Sequence, residues 1–260
     1  MPIDPPADSD LTPRQRQILQ TVQDQGFATI EALARHFSVS TQTIRRDIIR
    51  LDEIALLQRF HGGAGLREAP VRLSYEEKRA ASTGAKARIA RALADTVKAG
   101  SSVFLDVGTT AEAVAHALAD KERLNVFTSS LPAAMAFAGR AGIEVFVTGG
   151  TLRSADGALV GDAAIAALGR FKVDLAVIGC SGFDEDGAAM DFDLHKVAVK
   201  QAALAAARRS VIVADSAKFE RSALVRIAAP GVFRELFCEA PPPPRLREAL
   251  SAAAVAVTVA

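Results

Sequence analysis

From residue 84 to the C-terminus, alanine-rich segments alternate with short valine- and isoleucine-rich runs that are apolar almost throughout. Strands buried on both faces read as such runs, and helices between them cover both faces of a mostly parallel sheet. The periodicity predicts helices over 86–97, 110–119, 132–138, 163–169 and 195–208. It predicts strands over 103–107, 125–128, 144–148, 175–179, 211–214 and 235–238. Prolines at 241–244 then lead into a final helix and a strand-like run at 255–259. The expectation is an α/β domain over 84–260 with a mostly parallel sheet.

The ends of these strands carry the chemistry. Asp106-Val107-Gly108-Thr109-Thr110, Thr128-Ser129-Ser130, Thr148-Gly149-Gly150-Thr151-Leu152-Arg153, Gly179-Cys180-Ser181-Gly182 and Asp215-Ser216-Ala217-Lys218 are small, hydroxyl-bearing or charged. In an open parallel sheet the carboxyl ends of the strands line the ligand crevice. Gly108-Thr109-Thr110 opens a helix, so bare N–H groups and two hydroxyls face any anion placed there. Lys200, Lys218 and Arg153 are the candidate cations, and Asp106 suits a ligand hydroxyl rather than a phosphate. Thr128, Ser129, Gly149, Gly150 and Ser181 complete the candidate set. Singly, each is an ordinary helix cap, turn or solvated lysine. Convergence at five strand ends points to a small phosphorylated polyol as ligand.

Upstream lies a different texture. Thr12-Pro13-Arg14-Gln15 has a hydroxyl cap, a proline at the first helical position and a glutamine three residues after the cap. That helix runs to about Gln25 and ends at Gly26. Thr29 caps a second helix with Ile30, Leu33, Ala34 and Phe37 inward, Ser38-Val39 turns, and Ser40 caps a third. On the third helix Ile44, Ile48 and Leu51 share one face, while Gln42, Arg45, Arg46 and Ile49 point the other way. Arginine can bridge guanine and glutamine can bridge adenine in the major groove. A strand at 56–60 and a reversal at Gly62-Gly63 make a small wing. This is a winged helix-turn-helix over 12–66, with its reader motif at about 29–48. Candidate DNA contacts are Thr41, Gln42, Thr43, Arg45 and Arg46 on the helix, with Arg59 and His61 in the wing.

Residues 12–66 hold seven arginines against five acids, a net charge of only +2. Affinity for duplex DNA grows with each phosphate neutralised, so such a head needs partners, and a homo-oligomer (dimer or tetramer) is expected. The whole chain carries a formal charge of +1 and no tryptophan, which argues against a stacking platform for single strands. Cys180 and Cys238 lie in apolar runs with no His/Cys cluster beside them, so buried free thiols are expected, with no metal and no cofactor. The acidic, proline-rich residues 1–11 are unlike a signal peptide and read as disordered, and 67–83 reads as a linker with a short helix at 74–81. No apolar run is long enough to span a bilayer, so a cytoplasmic, soluble protein with no membrane partner is expected.

TIRRDI, the His61-Gly62-Gly63-Ala64 wing, DVGTT, TGGTLR and ADSAKF together resemble the DeoR-type transcriptional regulators, over nearly all of residues 12–230. The resemblance implies a sensor domain similar in fold to ribose-5-phosphate isomerase, and release of operator DNA when a sugar phosphate binds. HFSVSTQTIRRD, TTAEAVAHAL, LRSADG, FDLH and the late prolines look most like the branch of the family tied to glycerol 3-phosphate, which that likeness makes the expected effector. Two positions depart from the pattern: Ser129 stands where the family commonly has Asn, and Lys196 follows His195 where an acid is usual in that branch. The alternative reading, an isomerase with a DNA-binding appendage, needs a proton-shuttling base. The isomerases that the chain resembles carry a Lys-Gly-Gly loop and a nearby Glu, whereas residues 187–192 have neither that lysine nor the diglycine, and 196–200 contain no Glu. No catalytic residue is assigned.

Overall fold

A computed structural model of the chain describes residues 11–25, 27–54, 56–60, 63–66 and 75–260, which divide between two units, Met1–Arg72 and Leu73–Ala260. The expectations for residues 1–10, His61, Gly62 and 67–74 lie outside the described residues.

The first unit is built on capped helices. In α1 (Pro13–Gln25) the Thr12 hydroxyl accepts from the Gln15 N–H at 3.2 Å, and the Gln15 side chain accepts from the Thr12 N–H at 3.1 Å. This reciprocal box satisfies two donors that a helix start otherwise leaves bare. A short strand β1 (Phe27–Thr29) leads into α2 (Ile30–His36), capped by Thr29. The helix closes through Val39 N–H to Ala34 O and Ser38 N–H to Arg35 O, with Ser38 left-handed at φ 53°. Ser40 caps α3 (Thr41–Glu53) by accepting from the Thr43 N–H. Strands β2 (Leu57–Phe60) and β3 (Gly63–Leu66) form the wing, and β1 pairs antiparallel with β3, giving the order β1-β3-β2. The third strand is an addition to the sequence reading. Ile18, Val22, Ile30, Leu33, Ile44, Ile48, Leu51 and Leu57 form the core. Leu11, assigned from sequence to a disordered tail, is buried in it.

The second unit begins ahead of residue 84, where the sequence texture changes. Helix α4 (Tyr75–Ala80) precedes α5 (Thr83–Thr96), and the Tyr75 hydroxyl bonds Glu112 on α6 at 2.9 Å. The chain then alternates through β4 (Ser102–Leu105), α6 (Thr109–Leu118), β5 (Leu124–Thr128), α7 (Leu131–Met135) and β6 (Ile143–Val147). A hairpin, β7 (Thr151–Arg153) and β8 (Ala158–Val160), comes before α8 (Asp162–Leu168) and β9 (Val173–Gly179). Strands β10 (Gly182–Phe183) and β11 (Ala189–Asp191) lead to α9 (Leu194–Ala206) and β12 (Ala207–Val213). After β13 (Val225–Ala228), the unit ends with β14 (Glu235–Cys238), α10 (Pro244–Ala252) and β15 (Ala256–Val259).

Seven strands form one sheet in the order β15-β14-β12-β9-β4-β5-β6, with every pairing parallel. Alternate residues feed two cores. Val103 and Leu105 pack with Ile89, Leu93, Val114 and Leu118, whereas Phe104 packs with Val197, Ala203 and Leu250. Going outward from β4 the chain runs to β5 and β6; from β9 it runs the other way to β12, β14 and β15. The order therefore reverses between β4 and β9, which opens the crevice for ligand at their carboxyl ends.

Candidate functional site

On α3 the N-terminal half presents Thr41, Gln42, Arg45 and Arg46 to solvent, with Thr43 partly covered and hydrogen-bonded to Ser40 (hydroxyl to hydroxyl, 2.9 Å). The buried stripe below holds one charged residue, Asp47, which is 5% exposed. Its carboxylate accepts from Arg14 Nε at 2.6 Å and Gln15 Nε2 at 3.1 Å. Asp47 thus bolts α1 to the back of α3 and fixes which face points outward. Arg59 is exposed on β2, where its N–H donates to Asp52.

In the second unit, Asp106 directly follows β4 and Gly179 ends β9, on either side of the reversal point. The Lys200 ammonium, reaching from α9, contacts the Asp106 carboxylate, the Asp191 carboxylate at 3.2 Å and the Gly179 carbonyl at 2.8 Å. These partners take the three hydrogens an ammonium has. The sequence reading made Lys200 a cation for phosphate; the geometry makes it the centre of a buried triad with two carboxylates. Burial opposes the charge on Lys200, but Asp106 and Asp191 outweigh it and raise its pKa. One cation shared by two acids leaves one acid under-compensated. Burial pushes the Asp106 carboxyl above its usual range despite Lys200, while Asp191, buried too, is held below it by Lys200 and the Phe192 N–H. Ser181 donates its hydroxyl to Asp191 at 3.0 Å and so braces the triad.

Next to the triad, Gly108 at φ +117° is the N-cap of α6 and brings no side chain to the first turn. The N–H groups of that turn therefore lack a side-chain cap, and Thr109 and Thr110 stand half-buried beside them. Lys218 is half-buried and forms no ion pair among the described residues. The charge of Lys218 reaches both Cys180 and Lys86. Burial pushes the Cys180 thiol up to about 12, so it is inert at neutral pH.

Other candidates are engaged elsewhere. The Thr128 hydroxyl donates to Leu105 O at 2.7 Å and accepts from the Ser130 N–H, which ties β5 to β4 and leaves little for a ligand. Ser129 is buried, and its carbonyl accepts from Leu159. Arg153 pairs with Asp193 at 2.9 Å, and Asp193 caps α9, so this arginine anchors the hairpin. Gly149 and Gly150 are exposed beyond the edge strand β6.

Sequence reasoning missed Asp47, Lys86, Glu112 and Asp191. For Lys86 the signal was present: it falls on the inward stripe of α5 with Ile89, Ala90 and Leu93, and is 5% exposed. Cys180 and Cys238 are free thiols, Cys238 buried and Cys180 partly so. Among the described residues there is no group of three or more His, Cys, Asp or Glu able to hold a metal, and no helix long and apolar enough to cross a membrane.

A helix-turn-helix unit and a parallel α/β unit with its order reversal between β4 and β9 are the parts of a DNA-binding regulator with a sensor domain. Residues 14–69 match the DeoR-like helix-turn-helix domain, and residues 81–239 match the DeoR C-terminal sensor domain. The chain belongs to the DeoR family of transcriptional regulators, and it is a regulator rather than an enzyme. It is 38% identical over 240 residues to the glycerol-3-phosphate regulon repressor of Escherichia coli (strain K12), covering 92% of this chain and 95% of that one. It is 37% identical over 238 residues to the HTH-type transcriptional repressor CsqR of the same organism, covering 92% and 91%. Among solved structures, ribose 5-phosphate isomerase A of Methanocaldococcus jannaschii is similar at 18% identity and a TM-score of 0.37, over 51% of this chain and 52% of that one.

Proposed function

We propose that this regulator is a cytoplasmic homo-oligomeric repressor whose hold on operator DNA is loosened by a small sugar or polyol phosphate, glycerol 3-phosphate before others. The carrying observation is the uncapped N-terminus of α6 at the sheet's reversal point, with Lys218 unpaired nearby and buried carboxylates beside it. Bare N–H groups and a helix dipole favour a dianion there. Gly108, Thr109, Thr110 and Lys218 hold the phosphate in this reading, and Asp106, braced by Lys200 and the Gly179 N–H, faces the free hydroxyls. The name of the E. coli relative favours glycerol 3-phosphate within that class. The reading head (12–66) binds duplex operator through Gln42, Arg45 and Arg46, with Thr41, Arg59 and His61 as flanking contacts. Its net charge of +2 supports paired heads on related half-sites.

The test is a thermal-shift screen of the full chain against sugar and polyol phosphates, since a ligand adds RT ln(1 + [L]/Kd) of stability, about 2.7 kcal/mol at a hundredfold excess over Kd. Glycerol 3-phosphate is expected to raise the melting temperature, and Thr109→Val to abolish most of the rise. No shift from any phosphate would overturn the sensor reading.

A further inference from the structure

The end of α4 sits on the anion site described above. The carbonyl of Lys78 in that helix receives two donors, the Lys86 ammonium and the Thr109 hydroxyl at 3.4 Å. Lys86 also donates to the Ala81 carbonyl at 2.6 Å. Both carbonyls lie at the C-terminal end of α4, the negative end of a helix. A buried ammonium on neutral carbonyls is only partly compensated, because a carbonyl offers a partial charge where an anion offers a whole one. Lys86 makes no ion pair within 4.0 Å among the described residues, although Asp215 and Glu112 lie within electrostatic reach. Both acids keep a buried oxygen without a partner, Oδ1 of Asp215 and Oε1 of Glu112. Glu112 is in the first turn of α6 and 7% exposed, and its other oxygen accepts the Tyr75 hydroxyl at 2.9 Å. Two donors for an anion, Lys86 and Thr109, thus meet at a carbonyl of α4, and two carboxylates lie within electrostatic reach of Lys86.

We propose that α4 is a built-in competitor of the effector: the Lys78 carbonyl occupies the place of a phosphate oxygen between Thr109 and Lys86, and the Tyr75 hydroxyl occupies that of an effector hydroxyl on Glu112. This rests on the sensor reading and adds Lys86 and Glu112 to its site. A phosphorylated polyol takes both positions, and α4 lets go of α5 and α6. In the chain α4 follows the DNA-binding unit, so its release lengthens the tether of each head. A longer, looser tether lowers the effective concentration of the second head of an oligomer at its half-site, which weakens operator binding without any change in the reading helix.

Hydrogen exchange on the full-length protein tests this, with glycerol 3-phosphate and inorganic phosphate as probes and calorimetry alongside. At saturating glycerol 3-phosphate the amides of 79–81, which include the Ala81 N–H bonded to Glu77 O, are expected to exchange at least about tenfold faster, while those of 110–112 slow. Tyr75→Phe removes a competitor and is expected to tighten glycerol 3-phosphate by about 2- to 10-fold. Lys86→Gln is expected to weaken it by about tenfold or more. Should Lys86→Gln fail to fold, Tyr75→Phe and the wild-type exchange still decide. Binding heat with unchanged or slower exchange over 79–81, or weaker binding by Tyr75→Phe, overturns this proposal alone. No heat from glycerol 3-phosphate or any other sugar phosphate overturns the sensor reading and this proposal together.

Discussion

Replacing Lys200 by methionine removes the cation at the centre of the crevice and leaves its two carboxylates in place. Asp106 is 1% exposed and Lys200 2%, so water cannot take over the lost charge. Breaking a buried pair by deleting one partner typically costs about 3–5 kcal/mol, because the remaining charge is stranded. Each kcal/mol lowers the melting temperature of a unit this size by roughly 2–4 °C, so a fall of about 6–20 °C is expected at pH 7. The pH dependence carries a definite sign. Without Lys200, burial is expected to place both folded pKa values above the unfolded ones, so the protonated forms are favoured by folding. The deficit of the variant is then small below about pH 4, the unfolded range, and grows as pH rises through the raised folded values. In the wild type Asp191 behaves oppositely: its depressed pKa adds stability above the unfolded value that is lost as pH falls through the folded one. Calorimetric unfolding of both proteins from pH 4 to pH 8 measures the difference. Adding Asp106→Asn and Asp191→Asn to Lys200→Met should recover most of the loss, as the stranded charges go. A Lys200→Met protein that melts within about 2 °C of wild type across that range would refute the buried triad.

Three further outcomes are expected. Arg45→Ala with Arg46→Ala should cost operator binding about 1–3 kcal/mol per base-reading arginine and leave the fold intact, measured by gel shift beside circular dichroism. Asp47→Ala should instead lower the melting point of the DNA-binding unit by releasing Gln15 and Arg14, at about 1–3 kcal/mol, and reduce DNA binding only through that loss. Glu112→Gln should raise the melting temperature at pH 7 and not at pH 4. Burial lifts the Glu112 pKa, so its ionised form costs stability above the folded pKa and nothing below the unfolded one.

Much of the architecture was legible because it rests on local rules. Thr12, Thr29 and Ser40 announce three helix starts, and the structure caps all three with those side chains. Apolar runs without alternation announce strands covered on both faces, and the seven parallel strands follow. The short pieces were not legible. β1 is three residues long and exists because β3 offers it a partner, and β10 and β11 are held by β13 from far along the chain. Such strands have too few residues for a period to show. In the crevice, composition singled out the loops at the strand ends and left the pairings open. Lys86, Lys200 and Asp47 sit on apolar stripes of their helices, at positions where a solvated face is the ordinary expectation. A charge on such a stripe signals a buried partner, but the partner's identity depends on tertiary contacts such as Lys200 with Asp191. Thr128 reads as a ligand hydroxyl in sequence because nothing local reveals that Leu105 O lies across the sheet.

In the proposed regulator one ligand site and one DNA site share a single switch. Coupling of this kind is reciprocal: a ligand that weakens operator binding must itself bind the operator-bound protein more weakly, by the same factor. Titration calorimetry of glycerol 3-phosphate into the full-length protein, free and saturated with an operator selected from random duplexes, measures both affinities. A Kd weaker by about 5- to 150-fold is expected in the presence of operator, matched by an equal loss of operator affinity at saturating ligand. Equal ligand affinity in the two states would contradict it.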